Sequence, residues 1–318
     1  MNLVLIGEVR TAEYALRGMM RAGHPPTMVL TTDVAKVMVR SGMESDYYCD
    51  LSELSRSYDI PVRVIVDPHS IASNLAQSVP DYIFVMGWPY IVRKPVLQIA
   101  PCVGMHPTRL PCRRGGAPVN WTILDGESSS AVSLIRLRPA LDGGEILAQR
   151  DFVIEPNDYV GNVMKRIYSL TEELVAESVK ALADGSATWR PQEDSLATYT
   201  SRRKPEDGRI AWRDSAVRIR NLVRAVSRPF PGAFSFLEGQ VVKIWRADVP
   251  HGYRAPVGAA PGTILADLPQ GVLVSTGDNA LLLTEAQIGD GPTLTSTALS
   301  STLVQHVGKT FEQGCGGR

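Results

Sequence analysis

The first half of the chain alternates short apolar runs with stretches whose apolar positions recur at helical spacing. Residues 3–6 form a continuous apolar run that ends at Gly7. The next stretch closes at Gly23, and its apolar positions are those of an amphipathic helix: Ala12, Ala15, Leu16, Met19 and Met20. This β-α unit repeats, with strands predicted at residues 28–31, 62–66, 82–86 and 103–106, and helices at residues 51–58, 71–78 and 119–124. The alternation predicts an α/β fold with a Rossmann-like, mostly parallel sheet and helices on both faces.

The pattern then changes to two longer apolar-rich runs. Residues 131–137 and 146–154 flank the turn sequence at residues 142–144, so we expect the sheet to end in antiparallel pairing. Residues 159–185 predict one long amphipathic helix that ends at Gly185.

The last third of the chain carries five short strands at close intervals. We predict a helix at residues 217–226 and strands at residues 233–236, 241–245, 262–266, 271–275 and 280–285. Such spacing favours a small open β-barrel of OB type. The polar stretch before it is typical of a linker. We therefore predict an N-terminal catalytic domain over residues 1–189, a linker over 190–205 and an OB-like domain over 206–318.

Composition narrows the function classes. The 33 Lys and Arg residues balance 33 Asp and Glu residues, which argues against a chain that mainly binds polyanions. The four cysteines form no CxxC pair and no disulfide framework, so we expect a reducing compartment. Residues 1–7 lack a basic leader and no long apolar run follows, so we expect a cytoplasmic protein without a signal peptide.

Two common nucleotide motifs are absent. The first β-α turn, residues 7–12, has one glycine where a dinucleotide-binding fingerprint needs three, and no P-loop occurs. Four histidines stand without spaced partners, and no metal site is predicted: these are His24, His69, His251 and His306.

His106 differs because it ends a predicted strand and a rigid loop follows it. Two prolines and an Arg-Gly-Gly-Ala-Pro sequence lead from it into the helix that begins near Pro118. In an open α/β sheet, ligands bind outside the carboxyl ends of the strands, where His106 should lie. Asp142 sits on a glycine turn between two strands and could meet His106 there as an orienting carboxylate. The alternative is a structural turn aspartate beside an unrelated strand-end histidine.

Several separated motifs together resemble those of the folate-dependent formyltransferases. They are residues 106–118 (HPTRLPCRRGGAP), 141–147 (LDGGEIL), 202–212 (RRKPEDGRIAW) and 224–234 (RAVSRPFPGAF). The last two are similar to segments of methionyl-tRNA formyltransferases and closer still to the formyltransferase domain of the aminoarabinose enzyme of polymyxin resistance.

The resemblance implies transfer of a formyl group from 10-formyltetrahydrofolate to a primary amine. It assigns His106 as the general base that takes a proton from the amine and Asp142 as the carboxylate that orients it. It also assigns two folate-binding segments: Met86, Gly87 and Trp88, and the stretch around Pro139, Leu141 and Asp142. The alternative for the first segment is a plain strand end.

One catalytic position departs from the family pattern. The family carries an Asn two residues before the His, where this chain has Gly104. Loss of one oxyanion donor typically lowers the rate about 10²- to 10³-fold. Asn120 is our candidate for a replacement donor. Otherwise the His–Asp pair sustains slower turnover alone, or the domain binds without catalysing.

The acceptor amine is predicted from charge. Methionyl-tRNA formyltransferases usually carry a basic insertion after the second strand, but residues 32–46 hold two basic and three acidic residues. A small-molecule amine is therefore favoured, first a nucleotide-linked amino sugar, then an amino-acid-type or siderophore-precursor acceptor, then tRNA. Nucleic acid and membrane partners are not expected, and the resemblance allows a homodimer. A non-catalytic binding protein on this scaffold is the rival from another class.

Overall fold

The computed structural model describes residues 1–33, 47–75, 78–253, 255–256 and 258–314. Most of the segment at residues 32–46 and Cys315, both used in the sequence predictions, lie outside the described residues. The chain divides into two compact units. The first comprises Met1–Pro118, Ser128–Glu155 and Asn162–Arg202, and the second comprises Val119–Glu127, Pro156–Gly161 and Arg203–Arg318.

The first unit is built on a seven-stranded sheet of order β3-β2-β1-β4-β5-β7-β8. Its strands are β1 (Leu3–Ile6), β2 (Met28–Thr31), β3 (Val62–Val64), β4 (Tyr82–Val85), β5 (Cys102–His106), β7 (Ser129–Arg136) and β8 (Ile146–Val153). The first five are parallel, whereas β7 pairs antiparallel with both β5 and β8. β1 and β2 are buried throughout, as parallel strands covered on both faces must be. The predicted mostly parallel α/β fold is confirmed.

Helices flank this sheet. They are α1 (Arg10–Arg21), α2 (Leu51–Arg56), α3 (Ile71–Asn74), α4 (Lys94–Leu97) and α6 (Val160–Ala183). Helix α5 (Pro118–Leu124) belongs to the second unit from Val119 onward. α1 buries the predicted face of Ala12, Ala15, Leu16 and Met19. A Cβ at Gly18 would lie 2.5 Å from the backbone oxygen of Glu172, so glycine lets α1 approach α6 closely. α6 is the predicted long helix, and Gly185 follows it with φ +77°.

A two-residue pairing ties the segment after α6 to the first unit. β6 (Arg114–Gly115) pairs in parallel with β9 (Tyr199–Thr200), and Arg190 forms a bridge with Ile146. Residues 190–202, most of the linker predicted over 190–205, thus form part of the first unit. The predicted domain boundaries at residues 189 and 206 stay a prediction.

The second unit is built on an antiparallel sheet of order β10-β11-β14-β13-β12, with β15 paired to β14. Its strands are β10 (Ala233–Leu237), β11 (Gln240–Asp248), β12 (Ile264–Leu268), β13 (Gly271–Ser275), β14 (Ala280–Ile288) and β15 (Thr293–Thr295). The second unit also contains two helices, α7 (Ala216–Val226) before β10 and α8 (Ser296–Leu303) after β15. Trp212 is fully buried and stacks on Phe311, with 5.1 Å between the ring centroids. The five predicted strands are present, and the closure of the sheet into an OB-type barrel stays a prediction.

Among the described residues, no helix is both long and apolar enough to cross a membrane. The free cysteines in this part of the chain are Cys49, Cys102 and Cys112.

Candidate active site

His106 ends β5 at the carboxyl edge of the sheet. Its residue exposure is 5%, and it lies opposite Ser133 of β7. Its Nε2 lies 2.8 Å from the backbone oxygen of Arg113, in the loop that follows the strand. A carbonyl oxygen can only accept, so this contact places the ring proton on Nε2 and leaves the lone pair of a neutral ring on Nδ1.

Asp142 faces that second nitrogen. It lies in the turn between β7 and β8, in the left-handed conformation with φ +48°, and its Oδ2 is 3.6 Å from Nδ1 of His106. At this distance the contact is electrostatic, not a hydrogen bond. The same Oδ2 accepts a hydrogen bond of 2.8 Å from the backbone N–H of Gly115. The structure therefore brings together the two residues that the sequence predicted to meet.

The surroundings decide the charge on the imidazole. Burial lowers the pKa of His106 below its usual value, and the Asp142 carboxylate and the Arg113 carbonyl oppose that shift. Because the lowering dominates, His106 is neutral near pH 7. A neutral histidine with a free lone pair can accept a proton, which is the property that a general base requires.

A cavity of about 850 Å³ opens in front of this pair, within the size range of small-molecule and cofactor sites. All its lining residues belong to the first unit. They include six of the predicted site residues: Gly87, Trp88, His106, Pro139, Leu141 and Asp142. Met86 is fully buried and does not line the cavity, and its backbone N–H donates to Ile6 in the neighbouring strand.

Gly87 and Trp88 form one wall of the cavity after β4. Gly87 has φ +59°, and a Cβ there would lie 2.1 Å from a methyl carbon of Val9, so only glycine fits. The Trp88 ring lies 5.1 Å from that of Tyr90. Its Nε1 is buried and has no hydrogen-bond partner in the described part of the chain. A buried donor of this kind is costly unless a ligand supplies the acceptor.

Gly104 lies on the same face of β5 as His106, and the space beside it is filled. A Cβ at position 104 would lie 2.5 Å from Cδ2 of Leu137, just after β7. The missing amide at position 104 is predicted from the sequence, whereas the role of Leu137 is not. A leucine at the end of an apolar run carries no signal that distinguishes it from ordinary core.

The side chain of Asn120 forms a hydrogen bond away from the cavity. It belongs to the second unit, where its side-chain amide donates a 2.7 Å hydrogen bond to the backbone oxygen of Ala225. This bond occupies one of the two N–H groups that a replacement oxyanion donor would offer. Asn120 is not among the residues that line the cavity, and its role as a donor stays a prediction.

Sequence reasoning also missed Gln192, in the segment predicted as a linker. Its side-chain nitrogen donates to the backbone oxygen of Asp142 at 2.7 Å. The segment is polar and without periodicity, so no hydrophobic pattern could have pointed to it.

Two family models match this chain. Residues 53–179 match the model described as formyl transferase, and residues 202–302 match the model described as formyl transferase, C-terminal domain. The methionyl-tRNA formyltransferase of Syntrophus aciditrophicus (strain SB) is 36% identical over 237 residues, which cover 73% of this chain and 74% of the relative.

Solved structures share the fold. HypX from Aquifex aeolicus in complex with tetrahydrofolic acid superposes with a TM-score of 0.66 and 19% identity, over 96% of this chain and 48% of HypX. This chain thus spans about half the length of HypX. An N-formyltransferase from Helicobacter canadensis, in complex with folinic acid and dTDP-3-aminofucose, gives a TM-score of 0.65 and 18% identity, over 89% of this chain and 98% of that one. At these identities the likeness shows the fold alone.

Proposed function

The chain belongs to the formyl transferase family, and on that premise we propose that it moves a formyl group from 10-formyltetrahydrofolate to the primary amine of a nucleotide-linked amino sugar. The observation that carries the proposal is the pair formed by His106 and Asp142 at the cavity. It supplies a buried neutral base with a carboxylate beside its free nitrogen.

The cavity fits a folate. When bound, the folate would supply the formyl carbon that the amine attacks; the bond from that carbon to N10 would break, and tetrahydrofolate would leave with the proton that the base removed. The orphaned Nε1–H of Trp88 suits a planar ring with polar edges, and Gly87 lines the cavity beside it. Pro139 and Leu141 also line the cavity, and Leu141 is exposed. These four residues and the main chain of Asp142 are the proposed folate-binding residues.

In this proposal, Nδ1 is the atom of His106 that accepts the proton of the amine. An ammonium has no lone pair to attack with, so the amine must be neutral and must lose a proton as its new bond to carbon forms. Nδ1 takes that proton because Nε2 is held by the Arg113 carbonyl. The imidazolium then lies 3.6 Å from the Asp142 carboxylate, which stabilises its positive charge.

An amino sugar is proposed over tRNA for two reasons. The balanced charge of the chain gives no excess of cations for a polyanion. The Helicobacter canadensis enzyme, which shares the fold over most of its length, binds dTDP-3-aminofucose. Methionyl-tRNA is the second candidate because the relative that is 36% identical carries that name. A cytoplasmic location is part of the proposal and fits the free thiols of Cys49, Cys102 and Cys112.

Mass spectrometry of the acceptor tests the proposal. Purified protein is incubated with 10-formyltetrahydrofolate and either dTDP-amino sugars or methionyl-tRNA. We expect a formyl mass gain on an amino sugar, and a gain on the tRNA alone would replace the first candidate with the second. His106→Asn should abolish the gain, whereas His69→Asn, an exposed histidine of the same unit, should keep it.

The rival function gives a different result. A protein that binds without catalysing would bind tetrahydrofolate in a calorimetric titration and yet give no mass gain with any amine. The glycine at position 104 motivates this rival, since the family places a donor there.

A further inference from the structure

Gln192 contacts the turn that carries Asp142 at two points. Its Nε2 donates to the backbone oxygen of Asp142 at 2.7 Å and to that of Gly144 at 2.6 Å. Both carbonyls lie in the tight connection between β7 and β8, where the Asp142 backbone is left-handed. A non-glycine residue in that conformation persists only when its surroundings hold it there.

The other end of the same amide contacts Arg114. Oε1 of Gln192 accepts from Nε of Arg114 at 3.1 Å and from Nη2 at 2.9 Å. Arg114 is 3% exposed, and it also donates to Asp194 at 2.7 Å and to the Tyr199 hydroxyl at 3.3 Å. The Gln192 side chain therefore bridges a buried guanidinium and the Asp142 turn, and every polar atom of its amide group is used.

Arg114 precedes Gly115 in the chain, and Gly115 binds the Asp142 carboxylate directly. Gly115, the second residue of β6, donates its N–H to Oδ2 of Asp142. The main chain of Asp142 and its carboxylate are thus held from one short strand, the first through Gln192 and Arg114 and the second directly.

We propose that Gln192 is a positioning residue for the reaction, which holds the Asp142 main chain so that its carboxylate faces Nδ1 of His106. The inference rests on the proposed function of the His106–Asp142 pair. Gln192 contacts no reacting atom and acts through Asp142. Without its donor, the two turn carbonyls lose their partner, and the left-handed turn can relax and carry the carboxylate away from the imidazole.

The test measures the His106 imidazole directly. Among the described groups, Asp142 presents the charged side chain that faces His106, and Arg113 presents its backbone carbonyl. NMR of histidine-labelled full-length protein follows the titration of His106, which the His106→Asn variant identifies among the five histidines. Since the carboxylate raises the pKa of His106, we expect Gln192→Leu to lower that pKa toward its value in Asp142→Asn. We also expect kcat to fall roughly 10- to 100-fold with KM nearly unchanged.

Two further variants separate the positioning of Asp142 from a general effect of mutating this segment. Gln192→Met has no N–H for the carbonyls and adds no charge near His106, so it should lower the His106 pKa as Gln192→Leu does, and it serves if the leucine variant does not fold. Ser195→Ala removes a hydroxyl that bonds Glu193 in the same segment and should leave both readouts at wild-type values.

An unchanged His106 titration in both Gln192 variants, with a shifted one in Asp142→Asn, would overturn the inference. If wild-type protein transfers no formyl group to any amine, the proposed function fails, and the NMR titration still reports whether Gln192 positions Asp142.

Discussion

Leu137 fills the space beside Gly104 that a side chain at position 104 would need. The two residues come from adjacent antiparallel segments, since the Leu137 N–H donates to Cys102, two residues before Gly104. The Leu137 methyl carbon would lie 2.5 Å from a Cβ at position 104. An amide cannot be added there unless the leucine moves, so the glycine and the leucine form one structural unit.

Restoring the amide should therefore require two changes. Gly104→Asn alone should destabilise the protein by about 1–3 kcal/mol because it overpacks against Leu137, and it should bring no gain in rate. Gly104→Asn combined with Leu137→Ala should relieve the overlap and raise kcat by up to about 10²-fold, the worth of one oxyanion donor. Urea unfolding and steady-state kinetics measure both effects, with Leu137→Ala as the control. Equal rates in the single and double variants would contradict the steric argument.

The pH dependence of kcat/KM should report the buried His106. Its pKa is lowered by burial, so the base stays neutral and active to a lower pH than an exposed histidine, whose pKa is about 6.5. Activity should be lost as pH falls through the lowered pKa. Asp142→Asn removes the group that raises this pKa, so the loss should move to still lower pH while kcat falls roughly 10²-fold or more.

Asp151→Asn is the matched control for that experiment. Asp151 is an exposed carboxylate that pairs with Arg109 at 2.7 Å, and a surface pair of this kind contributes little. Its pH profile should coincide with that of the wild type. A profile for Asp142→Asn shifted toward higher pH would show that the carboxylate does not act on His106 as the geometry indicates.

Trp88 should contribute to folate binding through its N–H. Trp88→Phe keeps an aromatic ring and removes the orphaned donor, so we expect affinity for tetrahydrofolate to fall about 3- to 10-fold. The thermal stability of the free protein should fall only by the packing that the smaller ring loses against the core, because no protein hydrogen bond is lost among the described residues. Calorimetric titration measures the affinity, and Trp121→Phe, in the second unit, is the control. Unchanged affinity in Trp88→Phe would remove this residue from the proposed site.

Asn120 should prove structural. Asn120→Ala leaves the backbone oxygen of Ala225 without its partner, and we expect a loss of about 1–3 kcal/mol in the free energy of unfolding. The kcat of the folded variant should stay at the wild-type value. A fall in kcat near 10²-fold with an unchanged KM would instead support Asn120 as the replacement oxyanion donor.

Much of the fold could be predicted because the physics is local. Buried parallel strands appear as short apolar runs, and the turn sequence at residues 142–144 lies between two antiparallel strands, as predicted. β15 and α8 were missed because Thr293–Thr295 and Ser296–Leu303 are rich in Ser and Thr and show little contrast between apolar and polar positions. β6 and β9 were missed because two residues are too few to show a period.

Some residues of the candidate site could likewise be predicted from the sequence, and others could not. His106 and Asp142 could be expected together because a strand end and a glycine turn both point to the edge of a sheet. Leu137 and Gln192 could not, since their contacts depend on antiparallel register and on the path of a polar segment. Neither is encoded by spacing in the sequence.

The pairing of β6 with β9 sets a lower limit on the smallest active fragment. A protein shortened to residue 189, at the predicted end of the catalytic domain, would retain the base and its carboxylate. It would lose the strand that pairs with Arg114 and Gly115, and with it the amide that holds the Asp142 turn. We expect a fragment to need the residues up to Arg202 before its catalytic unit is complete.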